Sequence, residues 1–218
     1  MTAAAKTDLT APVADLFDDA RVASIYRTAA ELIHAKGFAG TSMNEIAEAA
    51  DLTKPGLYYH VKNKRELLFR ITSFAMDLLD ARVVAQAESI DEPAVRLRTI
   101  VHGHARLLLH EPGALAILID EVDGLDPQQR AIITRRKRRY YDFLRDAIID
   151  LQRAGRLRPA TLDPTVTAFN LLGMIMWTAR WYRVDGALGP DAVADTVATM
   201  AMHAVLGDDD AQQRTTIS

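Results

Sequence analysis

The sequence predicts an all-α protein of about nine helices. Ala, Leu, Arg and Ile recur at spacings of three and four residues through most of the 218 residues, and the alternation of β-branched side chains that is typical of strands is absent. Proline also recurs where a helix can begin, because the first helical residue needs no partner for a backbone N–H. These prolines are Pro93, Pro127, Pro164 and Pro190.

The first two helices have recognisable boundaries. Residues 18–36 carry an apolar stripe at helical spacing, and Gly37 follows at a position where a helix commonly ends in a left-handed residue. Ser42 stands three residues before Glu45, which is the spacing of a capping box. The sequence therefore predicts a short helix over residues 43–50.

A second short helix and a long helix complete the N-terminal part. Pro55 lies in the first turn of the short helix, which ends near His60, and the long helix runs from about Asn63 to Gln86. Two short helices joined by a tight turn after an amphipathic helix form a helix-turn-helix, whose second helix presents its N-terminal residues to base edges in the DNA major groove. Those residues are Thr53, Lys54, Pro55 and Gly56.

Composition and charge narrow the class of protein. The chain has no cysteine, which excludes disulfides and thiolate metal sites, and it has neither a long apolar run nor an N-terminal signal peptide. We therefore expect a cytoplasmic protein without a membrane span. Residues 20–70 carry eight basic and five acidic side chains in a chain of net charge −3, and a basic N-terminal region on an acidic protein indicates a nucleic-acid partner.

The segment "LYYHVKNKRELL" (57–68) concentrates groups that bind phosphate. Hydroxyl, imidazole and ammonium donors and the start of a helix occur close together, whereas no acid and nucleophile stand near His60 at a spacing that would make it a catalytic base. Residues 18 to about 70, including "GFAGTSMNEIAEAADLTKPGLYYHVKNKRELL", resemble the N-terminal domain of the tetracycline-repressor (TetR) family of bacterial regulators.

The resemblance implies a set of DNA contacts. The residues expected at the DNA backbone are Thr41, Ser42, Tyr58, Tyr59, His60 and Lys64. The residues expected at or beside base edges are Asn44, Thr53, Lys54, Pro55 and Gly56. Among these, a lysine can bind guanine O6 and N7 and an asparagine can favour adenine.

The resemblance also implies the domain organisation. It predicts a helix-turn-helix DNA-binding domain over residues 18–64 and a helical ligand-binding and dimerisation domain over residues 65–207, with a disordered arm over 1–17 and a flexible tail over 208–218. The last two helices of each subunit would form a four-helix bundle in a homodimer, which matches a two-fold operator in double-stranded DNA. The alternative is that the apolar stripes of these helices complete an intramolecular core.

Two patches of the C-terminal part, "GMIMWTARWYRVDGALGPDAVADTV" (173–197) and "LQRAGRLRPATLDP" (151–164), resemble TetR regulators of fatty-acid and sterol-ring breakdown, whose effectors are coenzyme A thioesters. The phosphates of coenzyme A need Arg or Lys donors beside an apolar space for the acyl group, and residues 135–139 are five consecutive basic residues. The apolar stripe of that helix places Arg136 and Lys137 on its inward edge. The expected ligand contacts are Arg135, Arg136, Arg138, Arg139, Tyr140, Trp177, Arg180 and Trp181.

The sequence thus predicts a ligand-responsive repressor that a small effector, such as a coenzyme A thioester, releases from a palindromic operator. Other interpretations stay open. The basic run can be solvated while the protein senses a neutral hydrophobic compound, Trp181 can anchor a dimer interface, and Arg180 can pair with an acid in residues 120–123. A DNA architectural protein that responds to no effector is a further alternative.

An enzyme is not expected. The chain has no Gly-rich phosphate loop, no nucleophile elbow and no pair of carboxylates at a useful spacing. His102 and His104 are two residues apart and point to different faces of a helix, so they are not expected to share a metal ion. No cofactor is expected either.

Overall fold

The computed structural model of the protein describes residues 20–206, and these residues form nine helices and no strand. The all-α prediction is therefore confirmed for this part of the chain, while the predicted arm over 1–17 and tail over 208–218 lie outside the described residues. The helices are α1 (Ala20–Lys36), α2 (Met43–Ala49), α3 (Lys54–His60), α4 (Lys64–Leu79), α5 (Pro93–His110), α6 (Pro112–Asp120), α7 (Pro127–Arg153), α8 (Pro164–Trp181) and α9 (Pro190–Leu206).

Helical turns of other types extend or separate these helices. Helix α4 continues through a π-helical turn at Asp80–Val84 and an α-helical end at Ala85–Ala87, so that it stops close to the predicted Gln86. A 3₁₀ turn at Val122–Gly124 separates α6 from α7. None of the nine helices in residues 20–206 combines the length and the apolar character that a membrane-spanning helix requires.

The predicted start and stop signals are present in the structure. The Ser42 hydroxyl accepts a hydrogen bond from the Glu45 backbone N–H at 3.2 Å, and the Glu45 carboxylate accepts one from the Ser42 N–H at 2.8 Å, which confirms the capping box of α2. Proline is the first residue of α5, α7, α8 and α9. Gly37 adopts a φ of 76° directly after α1, as a left-handed residue at a helix end does.

The chain divides into two compact units. One contains the residues up to Ala81 together with Gly113–Ile133, and the other contains Arg82–Pro112 and the residues from Thr134 onward. The first unit thus includes the predicted DNA-binding domain and extends beyond residue 64. The boundary of the DNA-binding domain at residue 64 stays a prediction.

The first unit is built on α1. This helix packs against α4 and α2, and α2 packs against α3. Aliphatic side chains without solvent contact fill the space between these helices, and burial of each stabilises the fold by about 1.5–3 kcal/mol. They include Ile33, Ile46, Leu57, Leu67, Leu68 and Ile71.

The second unit is built on α5. This helix packs along α9 and against α8. The interior of the unit is again aliphatic and includes Leu97, Ile100, Leu144, Ile148, Ile175 and Ala198. On one flank of the α5–α9 pair, polar side chains of the two helices meet. Arg106 forms an ion pair with Asp191, its Nε 2.6 Å from Asp191 Oδ1, and His102 Nε2 lies 3.3 Å from Asp195 Oδ1.

Helix α6 begins very close to the backbone of α1. A Cβ atom on Gly113 would lie 2.9 Å from the backbone nitrogen of Glu31 and 3.2 Å from the carbonyl carbon of Ala30. Backbone atoms of a packed helix cannot move aside as the end of a flexible side chain can. Residue 113 therefore has to be glycine for α6 to lie at this distance from α1.

We predict that Gly113→Ala lowers the free energy of unfolding by about 1–3 kcal/mol, the range typical of an overpacked site, as measured by urea denaturation. Gly103→Ala in α5 is the matched control, because a Cβ atom there would lie 3.6 Å from its nearest neighbours and alanine favours a helix. That variant should be as stable as the wild type or more stable. Unchanged stability in Gly113→Ala would contradict the close packing of α6 on α1.

Candidate functional site

Helix α3 begins with the residues that the sequence assigns to base edges. The Thr53 hydroxyl caps the helix by accepting a hydrogen bond from the Gly56 N–H at 3.1 Å. Lys54 and Pro55 form the exposed first turn. A Cβ atom on Gly56 would lie 3.2 Å from the Thr53 hydroxyl oxygen, so the absence of a side chain leaves room for this cap.

The other end of α3 presents aromatic rings to solvent. Leu57 is fully buried and fixes the helix on the unit, whereas Tyr58 and Tyr59 are exposed, Tyr59 to 87%. The rings of Tyr59 and His60 meet edge to face with their centroids 5.3 Å apart. A tyrosine exposed to this extent gains little from the fold, which favours a role in contacting a partner.

Three predicted base-contact residues share one surface recess between α2 and α3. The recess has a volume of about 430 Å³ and is lined by Asn44, Ala47, Glu48, Asp51, Leu52, Thr53 and Lys54. The two acids among them were not predicted from the sequence, although Glu48 stands four residues after Asn44 and so shares its helix face. Carboxylates at such a position can accept a hydrogen bond from the amino group of cytosine.

Ser42 and Thr41, both predicted at a phosphate, lie in different surroundings. Ser42 is exposed at the start of α2. Thr41 is only 3% exposed, and its hydroxyl donates a hydrogen bond to the Gly37 carbonyl at 2.9 Å. The Thr41 hydroxyl therefore departs from the expected surface position, because it satisfies a carbonyl at the end of α1 that no helical N–H reaches.

The acid of the capping box is also tied to α1. The Lys36 ammonium lies 2.8 Å from the Glu45 carboxylate, and hydrogen bonds from Lys36 and Ser42 lower the pKa of Glu45 to about 2. Glu45 therefore stays ionised above this pH and keeps the start of α2 fixed.

Lys64 stands at the start of α4. The Asn63 side chain caps this helix by accepting a hydrogen bond from the Glu66 N–H at 2.9 Å. The Lys64 ammonium lies over the ring of Phe38, 4.4 Å from its centroid, in a cation–π contact. No local sequence pattern indicates this contact, because Phe38 lies in the loop after α1 and Lys64 lies at the start of α4.

The basic run lies on α7 in the second unit. Arg135, Arg138 and Arg139 are exposed and Arg136 is half-buried. Lys137 is exposed as well. Partial desolvation of its ammonium group lowers the pKa of Lys137, as expected for a side chain at the edge of the interior.

Tyr140 and His104 form a buried polar pair between α7 and α5. The Tyr140 hydroxyl and His104 Nδ1 are 2.9 Å apart, and the two rings meet edge to face. Burial lowers the pKa of His104 to about 4, so its imidazole is neutral at pH 7. The sequence placed Tyr140 on the inward stripe but did not indicate its partner, which is 36 residues away.

Helix α8 leaves an apolar face exposed. Phe169 is 61% exposed and Trp177 is 67% exposed, and Val166 and Trp181 are exposed as well. Arg180 is also exposed on this helix. The two tryptophans that the sequence assigned to the ligand therefore lie on an outward face of this chain.

The histidines of α5 have different partners. Within residues 20–206, no group of three or more His, Cys, Asp or Glu side chains is arranged to hold a metal ion. His102 instead pairs with Asp195, and burial lowers its pKa.

Two family models match the chain. The model described as "Bacterial regulatory proteins, tetR family" matches residues 25–71. The model described as "Tetracyclin repressor-like, C-terminal domain" matches residues 91–205, which is more than half of the chain.

Individual proteins of known structure or curated function are similar as well. AibR, in a crystal structure with isovaleryl coenzyme A and operator DNA, is 40% identical, with 83% of this chain and 97% of AibR covered and a TM-score of 0.73. The HTH-type transcriptional repressor KstR2 of Mycobacterium tuberculosis (strain ATCC 25618 / H37Rv) is 25% identical over 87% of this chain and 92% of KstR2. The structure of M. tuberculosis KstR2, 22% identical, covers 88% of this chain and 97% of its own chain with a TM-score of 0.78, which shows a shared fold.

We predict that His104 makes the protein less stable in mild acid. Its pKa is about 4 in the folded state and near 6.5 when unfolded, so the unfolded chain binds the proton more tightly. The stability that this group contributes is complete above pH 6.5 and is lost as the pH falls towards 4. Between pH 7 and pH 5 the loss is about 2 kcal/mol.

The measurement is urea denaturation at pH 7 and pH 5 of the wild type, His104→Gln and His34→Gln, the last replacing an exposed histidine. The pH-dependent loss should shrink by about 2 kcal/mol in His104→Gln only. An equal loss in all three proteins would show that His104 is not neutral in the folded state.

Proposed function

Because the chain belongs to the TetR family of bacterial regulatory proteins, we propose that it is a repressor that an acyl coenzyme A thioester releases from a palindromic DNA operator. The observation that carries the proposal is the surface formed by α2 and α3, where Asn44, Thr53 and Lys54 share one recess and Tyr59 of α3 is exposed to 87%. A DNA operator as partner implies that the protein works beside the chromosome, in the cytoplasm.

The proposed DNA contacts divide by chemistry. Lys54 and Asn44 would reach base edges, since they stand on the exposed first turns of α3 and α2. Tyr58, Tyr59 and Lys64 would contact the phosphate backbone. Ser42 joins them through its exposed position at a helix start, where N–H groups attract anions. Thr41 would act through its backbone only, since its hydroxyl is engaged with Gly37.

The exposed apolar face of α8 supports the proposal that the protein is a homodimer. Val166, Phe169, Trp177 and Trp181 would remain in water if the chain acted alone, and α9 adds the exposed Met200. Exposed apolar patches of this kind mark protein–protein interfaces. Because a two-fold dimer presents two α3 helices, its operator should contain two half-sites about one helical turn of DNA apart, roughly 34 Å, or a multiple of that distance.

The proposed effector rests on AibR and on the basic run of α7. A relative that is 40% identical binds isovaleryl coenzyme A. Arg135, Arg136, Arg138 and Arg139 offer guanidinium groups for phosphates on one stretch of helix, and Tyr140 continues that stretch into the interior. The buried pair of Tyr140 and His104 is a polar group near which the thioester carbonyl would find a hydrogen-bond donor.

Release of DNA requires the effector to prefer one conformation of the protein. A ligand that binds both states equally shifts no equilibrium, and a change from 1:99 to 99:1 needs a preference of about 10⁴-fold, or about 5.5 kcal/mol. The thioester would therefore bind more tightly to a conformation in which the two α3 helices no longer match the half-site spacing.

A second candidate effector is a neutral hydrophobic compound. It is favoured by the exposure of Arg135, Arg138 and Arg139, and by the pairing of Arg138 with Asp142 at 3.4 Å, since long basic side chains often lie at the surface without a ligand. The two candidates differ in whether the arginines matter for binding.

We predict different effects for the two ends of α3, measured with a duplex that the wild-type protein selects from a randomised library. Lys54→Ala should weaken binding by about 5- to 150-fold and relax the preference at one position of each half-site, because a base contact is lost. Tyr59→Ala should weaken binding to all sequences by a similar factor, because a backbone contact carries no sequence information. Arg183→Ala, at an exposed site of the second unit, is the control. Full sequence preference in Lys54→Ala would contradict the assigned base contact.

We also predict that isovaleryl coenzyme A raises the melting temperature by about 5–10 °C at 100 times its Kd, since binding at that excess stabilises the native state by about 2.7 kcal/mol. Isovaleric acid should have no effect. The double substitution of Arg136 and Arg138 by Ala should abolish most of the shift, while Arg153→Ala on the same helix should not. A full shift in the double variant would exclude the basic run from the ligand site, and a neutral compound that acts equally on both proteins would favour the second candidate.

A further inference from the structure

Lys64 is held over the ring of Phe38. Its ammonium lies 4.4 Å from the ring centroid, and no carboxylate within residues 20–206 forms an ion pair with it. A lysine side chain in water samples many rotamers, and fixing it at the moment of binding costs conformational entropy. A contact that fixes the ammonium beforehand therefore favours its interaction with an external anion.

Phe38 is itself fixed by a distant part of the chain. The Glu121 carboxylate accepts a hydrogen bond from the Phe38 backbone N–H at 3.0 Å, across 83 positions of sequence. Gly37, just before it, has a φ of 76°, and a Cβ atom there would lie 3.9 Å from the same carboxylate oxygen. The loop between α1 and α2 thus turns against the Glu121 side chain.

The turn at residues 121–124 also contacts the ring of Phe38. A Cβ atom on Gly124 would lie 3.0 Å from Phe38 Cδ1 and 2.8 Å from Leu68 Cδ2. The Gly124 N–H donates a hydrogen bond to the Glu121 carbonyl at 3.0 Å, which closes the turn. The turn therefore contacts both the residue that holds Lys64 and the helix on which Lys64 stands, and all of these residues belong to one compact unit.

We propose that Phe38 and the turn at residues 121–124 are positioning elements that place the Lys64 ammonium for a phosphate of the operator. The proposal rests on the proposed DNA-binding function and adds to it residues that do not touch DNA. Glu121 and Gly124 belong to the region that matches the C-terminal family model, residues 91–205. That region thereby affects DNA affinity through Phe38, within the same unit as the helix-turn-helix.

The test uses full-length protein and a fluorescent duplex that the wild type selects from a randomised library. Phe38→Leu removes the ring and keeps an apolar side chain, and Phe38→Tyr keeps the ring. Each is made alone and together with Lys64→Ala, and the Kd is measured at several salt concentrations. Melting temperatures report any loss of folding.

The proposal predicts coupling between the two residues. Lys64→Ala should reduce the slope of log K against log salt concentration by about 0.9 for each subunit bound, because one phosphate contact is lost. Phe38→Leu should weaken binding about three- to fivefold in the wild type and have no effect in Lys64→Ala, whereas Phe38→Tyr should bind as the wild type does.

Glu121 provides a second and independent set of variants. Glu121→Gln keeps an oxygen that accepts from the Phe38 N–H and should bind DNA normally. Glu121→Ala should weaken binding in the wild type and not in Lys64→Ala. Equal weakening by Phe38→Leu in both backgrounds, or an unchanged salt slope in Lys64→Ala, would overturn the positioning role. Failure of the wild type to select any duplex would instead refute the proposed function.

Discussion

The burial of Leu57 determines the orientation of α3 and so of the surface that we propose to contact DNA. Helix α3 has seven residues, which is too short for a stable isolated helix, so its shape depends on tertiary contacts and on its caps. Leu57 lies without solvent contact inside the first unit, and Val61 is buried directly after the helix. With these two side chains inside, Tyr58 and Tyr59 have to point outward. The burial of Leu57 and Val61 thus leaves the charged and aromatic side chains that we propose to bind phosphate at the surface.

The second unit combines an aliphatic interior with a few polar groups that are costly to bury. Burying the polar groups of His104 and Tyr140 without a hydrogen-bond partner would destabilise the fold. Their mutual hydrogen bond offsets part of that cost. Neutral His104 therefore belongs to the interior at pH 7, while the charges of α7 remain at or near its surface. This separation of an apolar interior from a basic helix face agrees with an amphipathic ligand that has an acyl end and a phosphate end.

Local signals in the sequence were sufficient for most of the fold. The four prolines predicted to begin helices and the capping box of Ser42 each depend on residues within one helical turn, and the structure contains all of them. The surface residues of α3 followed from the same local pattern. Long-range contacts were not predictable in this way, because no periodicity relates Phe38 to Glu121 or His104 to Tyr140. The buried position of Thr41 was also not predicted, since its hydroxyl donates a hydrogen bond to the carbonyl of Gly37, the residue directly after α1.

The most direct test of the account is the fluorescence anisotropy of a selected operator duplex bound to the protein, measured during titration with isovaleryl coenzyme A. A repressor whose second unit binds acyl coenzyme A thioesters should release the DNA as the thioester is added, and isovaleric acid at the same concentrations should leave the complex intact. Stable DNA binding in the presence of this and other acyl thioesters, with release by a neutral hydrophobic compound, would contradict the proposed effector.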